Sequence, residues 1–229
     1  MPGVTEREDP AGKSLTDYDR PSVAVDVAVL TYLDGELRVL VVEHRLGGRA
    51  LPGTFLHRGE RLIDAADRAL RDKAGITGLK FHQLRMFDDP DRDERGWVIS
   101  MAHTAAVPVS DLPPDAALRV VDSGAVDGDL AFDHTDMVRL AVDDLRARYT
   151  AQVDPDRLLG EEFTVLDLRR LYEAIFDRPL QKDSFRRHVV AALDNTGRLS
   201  HPGQGRPAEL FRRRGAAQLP AQAAVLLTG

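Results

Sequence analysis

The stretch over residues 51–76, LPGTFLHRGERLIDAADRALRDKAGI, constrains the fold more than any other part of the chain. It opens with a loop rich in Pro and Gly. Leu and Ala then recur at helical spacing, which predicts a helix over residues 62–74. Gly75 follows, and a glycine at that point ends a helix because it adopts a left-handed backbone at little steric cost. The chain must therefore place a loop and an amphipathic helix side by side in its first half.

Two β-rich segments precede this stretch. Residues 23–33 and 37–45 are rich in Val and Leu, and Asp34-Gly35 joins them. This dipeptide is typical of two-residue hairpin turns, because both positions require a positive φ. We therefore predict a β-hairpin that leads into the loop and helix of residues 51–76.

Further elements follow the predicted helix. Residues 79–87 and 97–107 are strand candidates, and the charged loop DDPDRDERG separates them. Residues 135–149 carry apolar side chains at helical spacing and predict an exit helix. The signal is weak between Pro113 and this helix. Strands and helices mixed in this way predict an α+β domain over residues 20–150.

Charge is unevenly distributed along the 229 residues, whose net charge is −6. Residues 163–214 contain 11 Lys and Arg but only 6 Asp and Glu, so the remainder of the chain is strongly acidic. A basic segment attached to an acidic body indicates a separate module with an anionic partner.

The basic segment has the pattern of a winged helix-turn-helix. Thr164 is a good N-cap for a helix through Phe176, and a second helix is predicted over residues 182–193, ended by Thr196-Gly197. Two short strands then flank the turn Gly203-Gln204-Gly205. Such a module places its second helix in the major groove and its wing near the backbone. The predicted DNA-contacting residues are Lys182, Ser184, Arg186, Arg187, Arg206, Arg212 and Arg213.

Three segments lie outside the two predicted modules. Residues 1–19 are rich in Gly, Pro and charge, and we expect a flexible arm. Residues 151–162 are the expected linker between the modules, and residues 215–229 form an Ala-rich tail whose position the sequence does not decide.

Residues 51–76 resemble the Nudix box, G-x5-E-x7-R-E-U-x-E-E-x-G-U, where U is aliphatic. Placing its first Glu on Glu60 puts its Arg on Arg68 and its second Gly on Gly75, but Thr54 replaces the first Gly. The later acidic positions fall on Ala69, Asp72 and Lys73. In Nudix hydrolases these helix carboxylates bind a divalent metal that polarises the diphosphate.

The substitutions in this box predict a binding site without catalysis. Magnesium needs hard oxygen ligands, whereas the helix face here offers a methyl group, one carboxylate and an ammonium group. We therefore expect no catalytic residues, no metal site and a nucleotide-shaped pocket. The predicted ligand-binding residues are Arg45, Arg58, Glu60, Arg92, Arg95 and Trp97. The arginines suit a diphosphate, while Trp97 either stacks on a base or belongs to the core.

His134 precedes the exit helix and has two possible roles. It could sense the ligand and relay binding to the linker. We favour the alternative, in which it caps the helix or satisfies a buried polar group.

A degenerate Nudix box followed by a winged helix resembles the Nudix-related transcriptional regulators of NAD metabolism, the NrtR-type repressors. The resemblance covers residues 20–214 and includes RPSVAVDVAVL, LAFDHTDMV, RPLQKDSFRRHV and GRPAELFRR. It implies a Nudix-like α/β/α sandwich with a mixed sheet. It also implies ADP-ribose or a related NAD metabolite as effector, with no required cofactor, and control of genes of NAD biosynthesis or salvage. The partner would be double-stranded operator DNA with a palindromic sequence, bound by a homodimer.

Two other functions remain open at this stage. One is an active Nudix hydrolase of ADP-ribose-like nucleoside diphosphates with an accessory domain, and the other is a metabolite-binding scaffold without a DNA role. The chain has no Cys, which excludes disulfides and thiolate chemistry. No apolar run reaches the ~20 residues that a membrane span needs, and the polar N-terminus lacks a signal-peptide core. We therefore expect a cytoplasmic protein with no membrane partner.

Overall fold

The computed structural model describes residues 10–45, 47–200, 207–215, 218–220, 223 and 226–227. Within these residues the strands are β1 (Ser22–Leu33), β2 (Glu36–Leu40), β3 (Val42–Glu43), β4 (Arg49–Ala50), β5 (Gly53–Phe55), β6 (His82–Phe87), β7 (Val98–Ala106), β8 (Leu118–Asp122), β9 (Ala125–Val126), β10 (Leu193–Leu199) and β11 (Glu209–Arg213). The helices are α1 (Leu62–Ala74), α2 (His134–Ala151), α3 (Val165–Phe176) and α4 (Lys182–Val189).

A seven-stranded mixed sheet forms the centre of the first domain. Its order is β6-β7-β1-β2-β8-β9, and β5 also pairs with the first half of β1. Strands β1 and β7 run parallel, and the other pairs are antiparallel. The predicted hairpin is confirmed, because Asp34 and Gly35 both have positive φ between β1 and β2.

Strand β1 separates two hydrophobic layers. Successive side chains of a strand point to opposite faces. Val25, Val27 and Val29 accordingly pack in the cluster that includes α1, whereas Ala28 and Leu30 pack in the cluster that includes α2. With one helix on each face of a mixed sheet, the expected α/β/α sandwich is confirmed.

Helix α1 has the bounds that the sequence predicts. Gly75 follows it with φ of 67°, and its N–H donates to carbonyls of the last turn. Strands β8 and β9 lie in the region where the sequence predicted no clear element. They gave no clear signal because they are short and pair only at the edge of the sheet.

The C-terminal helices confirm the helix-turn-helix prediction and correct one boundary. Thr164 caps α3 together with Asp167 in a capping box. Helix α4 ends at Val189 rather than near residue 193, and a short 3₁₀ turn leads directly into β10. The prediction that Thr196-Gly197 ends the helix is therefore wrong. Both residues lie in β10, where the register with β11 shifts, and Gly197 has φ of 72°.

The two modules share one continuous hydrophobic cluster. The ring of Tyr172 on α3 lies 5.6 Å from that of Tyr149 on α2 and 5.4 Å from that of Phe185 on α4. The Tyr172 hydroxyl also donates to the carbonyl of Gln152 at 2.9 Å. Helix α3 is thus anchored to the end of α2, so the C-terminal module is held against the sheet domain.

The segments outside the modules differ in how they are held. Of the predicted flexible arm, residues 1–9 lie outside the described residues, and Leu15–Asp17 forms a capped 3₁₀ turn. In the tail, Leu219, Ala223 and Leu227 are buried in the shared cluster, so this segment docks on the body. No described helix has both the length and the apolarity that a membrane crossing requires.

Candidate ligand cavity and DNA-binding surface

A cavity of about 360 Å³ opens beside the first half of β1. Strand β1 and the β5 region form its floor, and its sides are lined by residues 42–45, by Lys73 of α1, by the loop over residues 88–97 and by the start of α2. Its charged lining residues are Asp26, Glu43, Arg45, Lys73, Arg92, Asp93 and Arg95.

Asp26 is the buried polar centre of the cavity floor. Ser100 donates to its carboxylate at 2.6 Å, and His134 Nε2 lies 3.4 Å away. Burial alone would raise the pKa of Asp26, but His134, Ser100 and Arg92 outweigh it and lower that pKa. Gly53 is required beside this carboxylate, because a Cβ on Gly53 would lie 1.8 Å from Asp26 Oδ1.

His134 is a buried wall residue whose two ring nitrogens are both engaged. Its Nδ1 accepts from the Leu51 N–H at 3.0 Å, so the ring proton lies on Nε2, which faces Asp26. This arrangement is the structural role that the sequence favoured. It also places the first residue of α2 at the cavity.

Three of the predicted ligand-binding residues line the cavity, but the charges of two of them are already neutralised by ion pairs. The Arg92 guanidinium binds both oxygens of Asp133, at 2.8 and 2.5 Å, and Arg95 binds Asp93 in the same way. Arg45 is exposed at the rim and forms no ion pair within the described residues.

The other three predicted ligand-binding residues lie outside this cavity. Arg58 is exposed in the loop before α1. Trp97 is 49% exposed, and its carbonyl accepts from the Ser22 N–H, so it is neither a core residue nor a stacking platform inside the cavity. Glu60 is held away from the cavity by an ion pair.

That ion pair joins Glu60 to Arg68, the two best-matched positions of the box. Arg68 donates to both carboxylate oxygens at 2.8 Å, and also to Thr54 and the Phe55 carbonyl. These bonds and the His57 N–H lower the pKa of Glu60 to about 2. The pair ties the loop to α1, so Glu60 has a structural role.

The three substituted acidic positions on the helix of the box face different surroundings. Ala69 is buried, Asp72 is exposed beside Arg71, and only Lys73 lines the cavity. Partial desolvation, aided by Arg45, lowers the pKa of the Lys73 ammonium. In the part of the chain that the structure describes, no three His, Asp or Glu side chains are arranged to hold a metal ion. The donor set therefore does not fit the metal that the Nudix fold implies.

Aromatic rings at the cavity mouth were not predicted from the sequence. The Arg95 guanidinium lies 5.5 Å from the Phe55 ring and 5.4 Å from the Phe132 ring. His44 meets Phe132 edge-on at 5.3 Å. These residues come from three loops or strand ends, so only the fold brings them together. Phe132 has a positive φ of 55°, which marks a constrained backbone position.

The predicted DNA-contacting residues divide into exposed and buried groups. Lys182, Arg186 and Arg187 are exposed on α4, and Ser184 is half-buried near its start. Arg186 pairs with Glu209 at 3.1 Å, and Arg187 has no ion-pair partner among the described residues. Arg206 lies outside the described residues.

The two wing arginines on β11 point in opposite directions. Arg212 is 57% exposed and pairs with Glu162 at 2.6 Å. The Arg213 side chain is 11% exposed and binds Asp154, whose side chain is 0% exposed, together with the carbonyls of Leu159 and Gly160. The Arg213 side chain is therefore held in the protein interior, and the DNA contact predicted for it does not fit this position.

Known proteins resemble both modules. A family model described as the NrtR DNA-binding winged helix domain matches residues 156–213. The ADPR-responsive transcriptional repressor NtrR of Acinetobacter baylyi is 30% identical over 212 residues, which are 86% of this chain and 84% of that protein. The ADP-ribose pyrophosphatase of Methanocaldococcus jannaschii is 27% identical over 53% of this chain and 73% of that enzyme.

A solved structure shows the same arrangement of domains. Shewanella oneidensis NrtR complexed with a 27mer DNA matches with a TM-score of 0.69 and 28% identity, over 89% of this chain and 96% of that one. Fold and comparisons together define a Nudix-like domain followed by a winged helix, the architecture of a transcriptional regulator. Because the similarity to the Acinetobacter repressor extends over most of both proteins, the chain belongs to the NrtR family.

Proposed function

We propose that this protein is a transcriptional repressor of NAD biosynthesis or salvage genes that senses ADP-ribose or a related NAD metabolite. One observation carries the proposal. Helix α2 begins at the cavity wall with His134 and ends against α3 of the DNA-binding module, so one helix contacts both the cavity and that module. The names of the Acinetobacter and Shewanella relatives support both the effector and the DNA partner.

In this proposal the sensor comprises residues 20–150 and the DNA-binding module residues 163–214, with residues 151–162 as the linker between them. The repressor acts in the cytoplasm, where its operator is accessible.

The effector binds between the cations and the aromatic rings of the cavity. Arg45 at the rim reaches the diphosphate, which a guanidinium binds through paired hydrogen bonds. Phe55 and Phe132 supply flat faces for the adenine, and the planar guanidinium of Arg95 lies near both rings.

The DNA surface consists of the exposed face of α4 and the wing. Lys182, Ser184 and Arg212 contact phosphates, while Arg186 or Arg187 reads a guanine edge. A single winged helix reads few bases, so a homodimer on a palindrome doubles the contacts. Because most contacts are to phosphate, the affinity falls steeply with salt.

We further propose that the protein does not hydrolyse ADP-ribose. Glu60 is committed to Arg68, and Lys73 lies where the box would place a carboxylate. Because the chain is similar to an ADP-ribose pyrophosphatase, hydrolysis of ADP-ribose has to be measured directly. ADP-ribose incubated with the protein and Mg²⁺ or Mn²⁺ should yield no AMP and ribose 5-phosphate, and turnover at ordinary enzyme rates would favour the hydrolase alternative.

DNA binding provides the direct test of the repressor. An operator is first selected from a random duplex library with the full chain, and its affinity is then measured while ADP-ribose is titrated. We expect ADP-ribose to change that affinity, and Arg187→Ala to cost about 1–3 kcal/mol with relaxed specificity if it reads a base. Arg157→Ala, an exposed arginine outside α4 and the wing, is the control. Failure to select any sequence would favour a metabolite-binding scaffold, and an unchanged operator affinity would remove ADP-ribose as the effector.

A further inference from the structure

Helix α1 presents one ammonium group to the cavity at a position where metal-dependent relatives of this fold would have a carboxylate. Lys73 lies one turn beyond the buried Ala69 and lines the cavity. It also borders a second cavity of about 480 Å³, lined by β3 and the segment over residues 113–117, so it stands between the two spaces. Its location gives the ammonium access to a bound ligand from α1.

The charge of Lys73 is uncommitted. No carboxylate lies within ion-pair distance of it in the described residues, whereas Arg92 and Arg95 are each neutralised by a bidentate partner. Of the carboxylates that line the cavity, Asp26 is held by Ser100 and Asp93 by Arg95. The side chain of Glu43 is largely exposed, 3.7 Å from Arg49. Among the described residues that line the cavity, Lys73 and Arg45 are therefore the two Lys or Arg side chains without an ion-pair partner.

We propose that Lys73 takes over the electrostatic task of the missing metal and binds the diphosphate of the effector directly, so that effector binding requires no divalent cation. The inference rests on the proposed function and adds the means of diphosphate recognition. An ammonium group is a compact phosphate-binding charge with three donors. A divalent cation in the same place would face its repulsion and would find too few oxygen ligands.

Isothermal titration of the full chain with ADP-ribose, once in EDTA and once in Mg²⁺, tests the proposal. We expect the same Kd in both buffers for the wild type. Lys73→Met should weaken binding by roughly tenfold to a hundredfold, the range of a charge-assisted hydrogen bond. Lys73→Glu should weaken it further, and Lys73→Arg should retain most of the affinity. Lys80→Met removes an exposed lysine that does not line the cavity and is the matched control.

The outcomes separate this inference from the proposed function. A wild type that binds no ADP-ribose in either buffer contradicts the proposed function. A wild type that binds only with Mg²⁺ overturns metal independence. Equal affinities of the wild type and Lys73→Met show that Lys73 does not contact the diphosphate.

Discussion

Arg212 and Arg213 are neighbours on one strand, and their replacement by Ala should have opposite consequences. Both changes remove one positive charge from the wing. Arg213 lies in a buried ion pair with Asp154, whereas the exposed Arg212 pairs with a half-buried Glu162 that Arg198 also binds. We expect Arg213→Ala to impair stability and Arg212→Ala to impair DNA binding.

The expected loss of stability in Arg213→Ala depends on the hydrogen bonds that Asp154 retains. Without Arg213, its buried carboxylate still accepts from the Tyr149 hydroxyl at 2.7 Å and from the Leu158 and Leu159 N–H groups at 2.8 and 3.1 Å. Breaking a buried ion pair costs about 3–5 kcal/mol, and these three donors place the expected loss near ~3 kcal/mol. For a chain of this length that lowers Tm by roughly 6–12 °C. Arg212 is exposed and Glu162 keeps its ion pair with Arg198, so the lost pair contributes only ~0–1 kcal/mol and Arg212→Ala should leave Tm nearly unchanged.

Two measurements distinguish the roles. Urea unfolding at 25 °C gives the free energy of unfolding of each variant, and DNA affinity at several salt concentrations gives the number of phosphate contacts. Arg212→Ala should reduce the salt slope by about 1 per protomer, and hence by about 2 for the proposed homodimer. In a double-mutant cycle, Asp154→Asn combined with Arg213→Met should cost less than the sum of the single changes. A stable Arg213→Ala protein with a reduced salt slope would refute the buried role and return Arg213 to the DNA surface.

Two further predictions concern the sensor domain. The pKa of Glu60 is lowered from 4.5 to about 2, so its ion pair stabilises the fold fully above pH 4.5 and loses that contribution as the pH falls toward 2. The Tm difference between the wild type and Glu60→Gln should therefore shrink on acidification, with the exposed Asp72→Asn as control, and a constant difference would contradict this pKa. Gly53→Ala should lower Tm, because the new methyl group would overlap Asp26 Oδ1, whereas Gly160→Ala has open space and should have little effect. Equal Tm values for the two Ala variants would show that β5 can move away from β1.

Elements with strong local signals were predictable from the sequence. The hairpin turn at Asp34-Gly35, helix α1 with its Gly75 stop and the Thr164 cap of α3 depend on side chains within a few residues of one another. The end of α4 was not predictable in this way. The helix ends at Val189, a 3₁₀ turn over Val190–Ala192 follows, and pairing with β11 draws the residues from Leu193 onward into β10. A tertiary contact overrides the helical pattern there.

The candidate site was predicted only in part, again because contacts between distant residues decide the outcome. Charge type and loop position indicated the arginines of the cavity, but a sequence does not show which charges are already neutralised. Arg92 pairs with Asp133, 41 residues away, and Arg213 pairs with Asp154, 59 residues away. Such partners are found only when the chain is folded, which is why committed and free cations looked alike in the sequence.

Helix α2 connects the cavity to the DNA-binding module. Regulation through this helix requires that the effector bind two states of the protein with different affinities. At 1.5 Å per residue, the 18 residues of α2 span about 27 Å. The Tyr149 hydroxyl in its last turn binds Asp154, which binds Arg213 in the wing strand. Contact along this path does not by itself produce regulation, because a ligand shifts an equilibrium only by its different affinity for two states. In the proposed dimer, we expect those states to be two orientations of the recognition helices. Successive major grooves have a fixed spacing, so we expect that a small rotation of α2 favoured by the effector changes the fit to the operator.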